Sequence, residues 1–418
     1  MKKLLCVLVT VFTLCMFSTV AYAADSEAYA FWDESSATLT LVASDSGVPE
    51  GDYGELLGGG ALPTDADDMF DWPWFQPGLG GKAEAVVIDS SMADYTGFNS
   101  TAYMFSDFYH EMPSLDLSNL NTENVSDMSH MFENCSVLEL DVSGLDTSNV
   151  SDMSYMFENC GNLFELDVSG FDTSEVTDMS YMFKGCTFIP EFDVSGFDTS
   201  NVTDMSHMFE NCEYLTDLDV SGFDTSNVTN MHCMFGSCHQ LTELDVSGFD
   251  TSNVTDMYSL FSACNNLESI DVSGFDTSNV ERMESMFQSC KALTSIDISS
   301  FDTSNVNSID YMFYQCDDLE TIYCAAGTDW SGIGGRNVFT RDTNLVGGNG
   351  TTFDGGNTDA EYARFDSSEA PGYFTALPGS AFAGSVLSEG NVVVIAAVAV
   401  AAVAAVAVLV ISKKRKKA

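Results

Sequence analysis

The unit Met-Phe-x-x-Cys recurs eight times at an almost constant interval. It stands at Met131-Phe132 with Cys135, Met156-Phe157 with Cys160, Met182-Phe183 with Cys186, Met208-Phe209 with Cys212, Met234-Phe235 with Cys238, Leu260-Phe261 with Cys264, Met286-Phe287 with Cys290 and Met312-Phe313 with Cys316. The step between successive phenylalanines is 25 residues once and 26 thereafter. Self-similarity at a period of about 20–50 residues marks a stacked array, because one such unit cannot bury its apolar face alone. The middle of the chain must therefore build its core between neighbouring copies.

Between the Met-Phe pairs the text is nearly constant, as in Leu166-Asp167-Val168-Ser169-Gly170-Phe171-Asp172-Thr173-Ser174-Glu175-Val176-Thr177-Asp178-Met179. The segment Leu215-x-x-Leu218-Asp219-Val220 alternates inward apolar with outward polar positions, as a strand does. Gly222 to Asn227 reads as a turn whose Asp and Ser side chains can bond the backbone. Val228, Met231, Met234 and Phe235 then suit a short extended piece leading into a helical turn with its apolar side inward.

At these residues the unit resembles the 26-residue repeat of BspA-type leucine-rich repeat surface proteins, in which an aromatic-x-x-Cys precedes L-x-x-L/I. The segments Val86-Val87-Ile88-Asp89 with Ala102-Tyr103-Met104-Phe105, and Leu345 to Thr351 with Pro371-Gly372-Tyr373-Phe374, resemble the lead-in and closing cap of such proteins. The resemblance implies an α/β solenoid, a leucine-rich-repeat-like right-handed stack with N- and C-terminal caps. It also implies an exported adhesion protein that engages an extracellular protein or matrix component.

The ends have other tasks. Residues 1–23 carry Lys2 and Lys3, an apolar run and Ala21-Tyr22-Ala23, the pattern of a secretory signal peptide. Residues 391–412 enclose twenty uncharged Val, Ala, Ile and Leu residues, enough as a helix to span a bilayer core of about 30 Å. The basic tail 413–418 then stays cytoplasmic, so the expectation is a surface protein with a single membrane span and an outward-facing array. Leu377-Pro378-Gly379-Ser380-Ala381 offers the alternative of sortase linkage to the cell wall, with Ser380 and Ala381 in place of the usual Thr and Gly. Residues 24–103 are expected to cap the array, 104–325 to form the repeats, 326–376 to close them, and 377–390 to be a spacer.

Removing both ends leaves seven Lys and Arg against 63 Asp and Glu, a net charge near −56. Such a surface repels phosphate backbones, so nucleic acid is excluded as a partner and cationic protein segments are favoured. Two carboxylate rows stand out. Asp141, Asp167, Asp193, Asp219, Asp245, Asp271 and Asp297 occupy the outward strand position, and Asp146, Asp172, Asp198, Asp224, Asp250, Asp276 and Asp302 occupy the turn. The turn row is expected to cap its own backbone. The strand row is expected to form a solvated acidic face for a cationic partner, with weak calcium ligation as a further option.

Cys135, Cys160, Cys186, Cys212, Cys238, Cys264, Cys290 and Cys316 are expected to form an internal column of structural thiols, with disulfides as the alternative for an exported chain. His232-Cys233 with Cys238-His239 has the look of a zinc quartet, but the period puts Cys238 inside and Cys233 outside, so no metal ligand is assigned. The five histidines are scattered and no G-x-S-x-G, H-E-x-x-H or phosphate-binding glycine loop occurs. The chain therefore reads as a non-catalytic binding protein without a cofactor. The competing reading is a structural acidic stalk or coat without a dedicated ligand.

Overall fold

A computed structural model describes residues 26–75 and 78–378. Residues 1–23, expected to be a signal peptide, the apolar segment 391–412, the basic tail and most of the expected spacer 377–390 lie outside the described residues. Among the described residues no helix is long and apolar enough to cross a membrane.

Each 26-residue unit forms one rung, and parallel bridges join Ser100, Asp127, Asp152, Asp178, Asp204, Asn230, Asp256 and Arg282 in succession from rung to rung. The L-x-x-L side, where the alternation predicts the principal strand, pairs only at intervals: Ser114–Leu115 with Glu139–Leu140, Glu191–Phe192 with Asp217–Leu218, and Ser295–Asp297 with Thr321–Cys324. Outward positions on that side stack Glu and Asp over one another, and like charges placed directly opposite oppose strand pairing.

The return path contains no α-helix among the described residues, which corrects the α/β expectation. It is a run of turns with a division of labour among its amides. Met179, Tyr181, Phe183 and Gly185 donate to the next rung at Asp204, Ser206, Met208 and Glu210, whereas Met182, Lys184 and Cys186 donate three residues back within their own rung. Two places per rung adopt a left-handed backbone to allow this. One holds Tyr155, Tyr181, His207, Cys233, Ser259 and Ser285; the other, before each cysteine, holds Asn134, Asn159, Gly185, Asn211 and Ser237. Asn and Gly tolerate that conformation best, so Glu-Asn-Cys and Lys-Gly-Cys were its legible signal.

The main core runs from Ala28 to Phe374, and Tyr29, Phe31 and Val42 form a small second cluster in the N-terminal sheet. The axis of the main core is a stack of phenylalanine rings, Phe105, Phe132, Phe157, Phe183, Phe209, Phe235, Phe261, Phe287, Phe313 and Phe339, with centroids 5.5–6.0 Å apart. The N-terminal region is a four-stranded sheet in which Glu27–Asp33 lies between Glu55–Leu56 and Thr38–Ser44, and Ala85–Ile88 flanks the latter in parallel. Fully buried Trp72 and Trp74 donate their indole N–H groups to the carbonyls of Ala102 and Met104 at 2.7 and 3.2 Å, which satisfies the first rung. At the other end Phe374–Ala376 adds a parallel strand beyond Thr321–Cys324.

Candidate partner-binding face

The recurring Asp-x-Ser triplets explain themselves once the rungs are closed. In the rung around Asp167 the carboxylate accepts the Ser169 N–H at 3.0 Å, Asp172 accepts that of Ser174 at 3.1 Å, and Asp178 accepts that of Ser180 at 2.8 Å. This rung thus has three corners, each held by an Asp whose side chain bonds the amide two residues on. The strand row was expected to be solvated surface and the turn row to be caps; both rows cap. The Oδ1 atoms of Asp141, Asp193, Asp245, Asp271 and Asp297 accept from the serines two residues later at 2.9–3.2 Å, and Asp219 does the same for Ser221 at 3.0 Å. Hydrogen bonds from Ser143 and Ser169 hold the carboxyls of Asp141 and Asp167 below their ordinary range.

The third row, Asp127, Asp152, Asp178, Asp204 and Asp256, was not recognised from sequence. These residues are only partly exposed, and burial pushes Asp127 and Asp178 upward. The row is interrupted where repulsion would accumulate. Asn230 stands in place of an Asp and donates to Asp204 at 2.9 Å, and Arg282 reaches back to Asp256 at 2.6 Å.

Beside the strand row lies an aromatic strip that periodicity could not show, because it spans only part of the array. Phe164, Phe188 and Tyr214 are 64%, 42% and 53% exposed yet touch ring to ring, Phe164 stacked on Phe188 at 5.7 Å and Phe188 tilted against Tyr214 at 5.4 Å. Leu138 continues the exposed apolar side chains on the preceding rung. An open groove beside the strip is lined by Phe164, Leu166 and Pro190 together with Glu139, Asp141, Glu165, Asp167, Glu191 and Asp193. Among the candidate acidic residues, Asp141, Asp167 and Asp193 therefore share one groove with aromatic surface. The later rungs carry Gln240, Asn266 and Ala292 at the place of Tyr214.

The cysteine column lies inside. The thiols of Cys160, Cys186, Cys212, Cys238, Cys264, Cys290 and Cys316 each donate to the carbonyl of a phenylalanine in the preceding rung at 3.1–3.3 Å. Ten cysteines of the described residues are free and buried, and burial pushes the Cys135 thiol up to about 12. Thiolate, not thiol, is the reactive form. Ellman titration of the native protein is therefore expected to show no fast-reacting thiol among these ten. All should react after denaturation without reductant, and a shortfall there would reveal disulfides.

The quartet suggested by His232-Cys233 and Cys238-His239 does not assemble around one point. Cys238 donates inward to Phe209, and the His239 ring faces the Ala263 carbonyl at 2.8 Å and Asn265. His232 and Cys233 instead meet His207 of the preceding rung.

Comparison with known proteins adds a family and little about a ligand. No curated protein matches the chain. Two solved structures share low similarity. One is the functional domain of InlJ from Listeria monocytogenes, described as including a cysteine ladder, at 19% identity over 58% of this chain and 48% of that one, with a TM-score of 0.19. The other is a complex of TLR13 with ssRNA13, at 13% identity over 67% of this chain and 51% of that one, with a TM-score of 0.18. The chain thus spans about half the length of each structure it matches. The family described as "Mycoplasma protein of unknown function, DUF285" matches at residues 99–218, 188–271 and 240–325, which together cover the whole array and more than half of the sequence. These repeats make the chain a member of that DUF285 family.

Proposed function

We propose that this is a non-catalytic surface protein of the BspA-type leucine-rich-repeat kind, which binds a cationic segment of an extracellular protein or matrix component on the strand-side face of its first rungs. The observation that carries the reading is the row Phe164, Phe188 and Tyr214, exposed and in ring-to-ring contact, which opens through Phe164 onto the groove that holds Asp141, Asp167 and Asp193. Large aromatic side chains left in contiguous water-exposed contact are costly unless a partner covers them, and aromatic anchors within a charged rim are what binding sites present. The carboxylates around them select against anions and speed the approach of basic chains. An extended segment with Lys or Arg alternating with aliphatic residues fits this groove.

In the same reading the chain is exported, held by residues 391–412 with its C-terminus cytoplasmic, or linked to the wall through Leu377. The repeats would then be released from intact cells by external protease.

Binding of fluorescent peptides in which Lys and Arg alternate with Leu and Phe tests the site, with salt and calcium varied. Charge reversal at the Asp positions would also break the corner caps, so Asn, which keeps the accepting oxygen, is the informative replacement. Asp141→Asn with Asp167→Asn and Asp193→Asn is expected to weaken binding about tenfold or more at low salt and to flatten the salt dependence. Phe164→Ser with Phe188→Ser is expected to weaken it by about 1–2 kcal/mol per ring at any salt concentration. Equal binding by all variants would favour a passive acidic coat.

A further inference from the structure

The column at the first left-handed place is aromatic from Tyr103 to His207 and then loses its rings at Cys233, Ser259 and Ser285. Tyr103, His130, Tyr155, Tyr181 and His207 stack ring on ring at 4.2–4.3 Å. The next place in register is Cys233, which has no ring. The stack continues by sidestepping one residue: His232 lies over His207 at 4.7 Å and Tyr258 lies over His232 at 4.7 Å. This sidestep brings two imidazoles to one thiol. One ligand atom each from His207, His232 and Cys233 lie within 4.8 Å of one another, and no other such group of three occurs among the described residues.

We propose that His207, His232 and Cys233 form a binding site for a zinc-class divalent transition metal. Two imidazoles and a thiolate suit such an ion, with Zn–N near 2.0–2.1 Å and Zn–S near 2.3 Å. A tetrahedral site with those bonds has ligand-to-ligand edges of about 3.5 Å, so side-chain rotations of about 1 Å close this one. The backbone beneath is already held, since His207 N–H donates to the His232 carbonyl at 2.8 Å and Cys233 N–H donates to that of Tyr258 at 2.9 Å.

The surroundings carry the orienting groups that metal-binding histidines need. Nδ1 of His207 lies 2.8 Å from a Glu210 carboxylate oxygen, and Nδ1 of His232 lies 3.5 Å from one of Asp256. A carboxylate accepting from Nδ1 leaves Nε2 with its lone pair and makes it more basic. Lys184 and Arg282 in turn hold Glu210 and Asp256 at 3.5 and 2.6 Å. Cys233 is 8% exposed, and its thiol lies within reach of both imidazoles. On coordination the Sγ–H bond breaks, the Sγ–metal bond forms and the proton goes to solvent, so each ion bound releases one proton. Three protein ligands leave a fourth position for water or a partner's side chain.

Titration of the full chain with Co2+ and then Zn2+ decides the matter. The expected result is one Co2+ per chain with a sulfur-to-cobalt charge-transfer band, abolished by one equivalent of Zn2+, and release of one proton per ion. Cys233→Ser should remove the band while preserving the fold, because Ser259 and Ser285 occupy the same place in the following rungs. His207→Gln and His232→Gln should each weaken Zn2+ binding at least about tenfold, and Glu210→Gln about 10–100-fold. His239→Gln should change nothing. A band that survives Cys233→Ser, or no Co2+ uptake by the folded chain, would overturn the proposal.

Discussion

Replacing Phe209 by alanine is expected to lower stability by about 3–5 kcal/mol, the loss typical of an aromatic ring removed from a packed core. Phe209 is fully buried in the middle of the ring column, with Phe183 at 5.6 Å on one side and Phe235 at 5.9 Å on the other. In a stacked array each unit is stabilised by its neighbours, so a cavity at one rung weakens two interfaces together. Urea denaturation measures the effect, and the positions of the tryptophans make it informative. Trp72 and Trp74 report on the first rung and Trp330 on the last. A mid-array cavity is expected to shift the transitions seen at both ends and to separate them. A loss below about 1 kcal/mol would mean that the ring column contributes little.

The second large effect is electrostatic. Asp342 stands in the place of the cysteine column in the last turn of the stack, completely buried, with Oδ1 accepting the Cys316 N–H at 2.9 Å and Oδ2 without a partner. Burial, with a smaller push from Asp317, raises its carboxyl to about 9 despite the Cys316 amide. Between the ordinary carboxylate range and pH 9 the folded state therefore holds one more proton than the unfolded state. Stability then falls as pH rises through that window, by about 1.4 kcal/mol per unit, and the contribution is complete only at acid pH. Asp342→Asn keeps the acceptor for Cys316 and cannot ionise. The difference in stability between the two proteins should thus grow in favour of Asn from pH 5 to pH 9, while contributions from other groups cancel. A difference that stays constant over that range would show that Asp342 is not held neutral.

Much of the architecture was legible because period and polarity are written into every copy. The 26-residue step, the burial of Val228, Met231, Met234 and Phe235, and an inward place for the cysteines all follow from apolar positions repeating in register. The helical turn predicted for Met-Phe-x-x-Cys was wrong for a definable reason. Apolar spacings of three and one fit both a helix and a chain of turns, and the choice falls to amides that find partners in the next rung rather than in their own. The strand Glu27–Asp33 has no alternation to mark it in the sequence, because it is buried on both faces.

The candidate face was legible only in part. Repetition made the strand-row Asp visible, but it concealed their capping role, since Asp-x-Ser reads the same whether or not the side chain turns back on its backbone. It also drew attention away from Phe164, Phe188 and Tyr214, which lie where the copies differ. The tertiary structure brought His207, 25 residues upstream, against His232 and Cys233, in place of the Cys238-His239 pair nearby in sequence. By itself the sequence determined that this protein is a stack and which side chains face its interior, because burial in a stack is periodic and periodicity is a one-dimensional property. Which backbone path closes each rung, which carboxylates cap, and which residues of neighbouring rungs meet at the surface depended on hydrogen bonds and contacts between copies, and only the stacked chain supplies those.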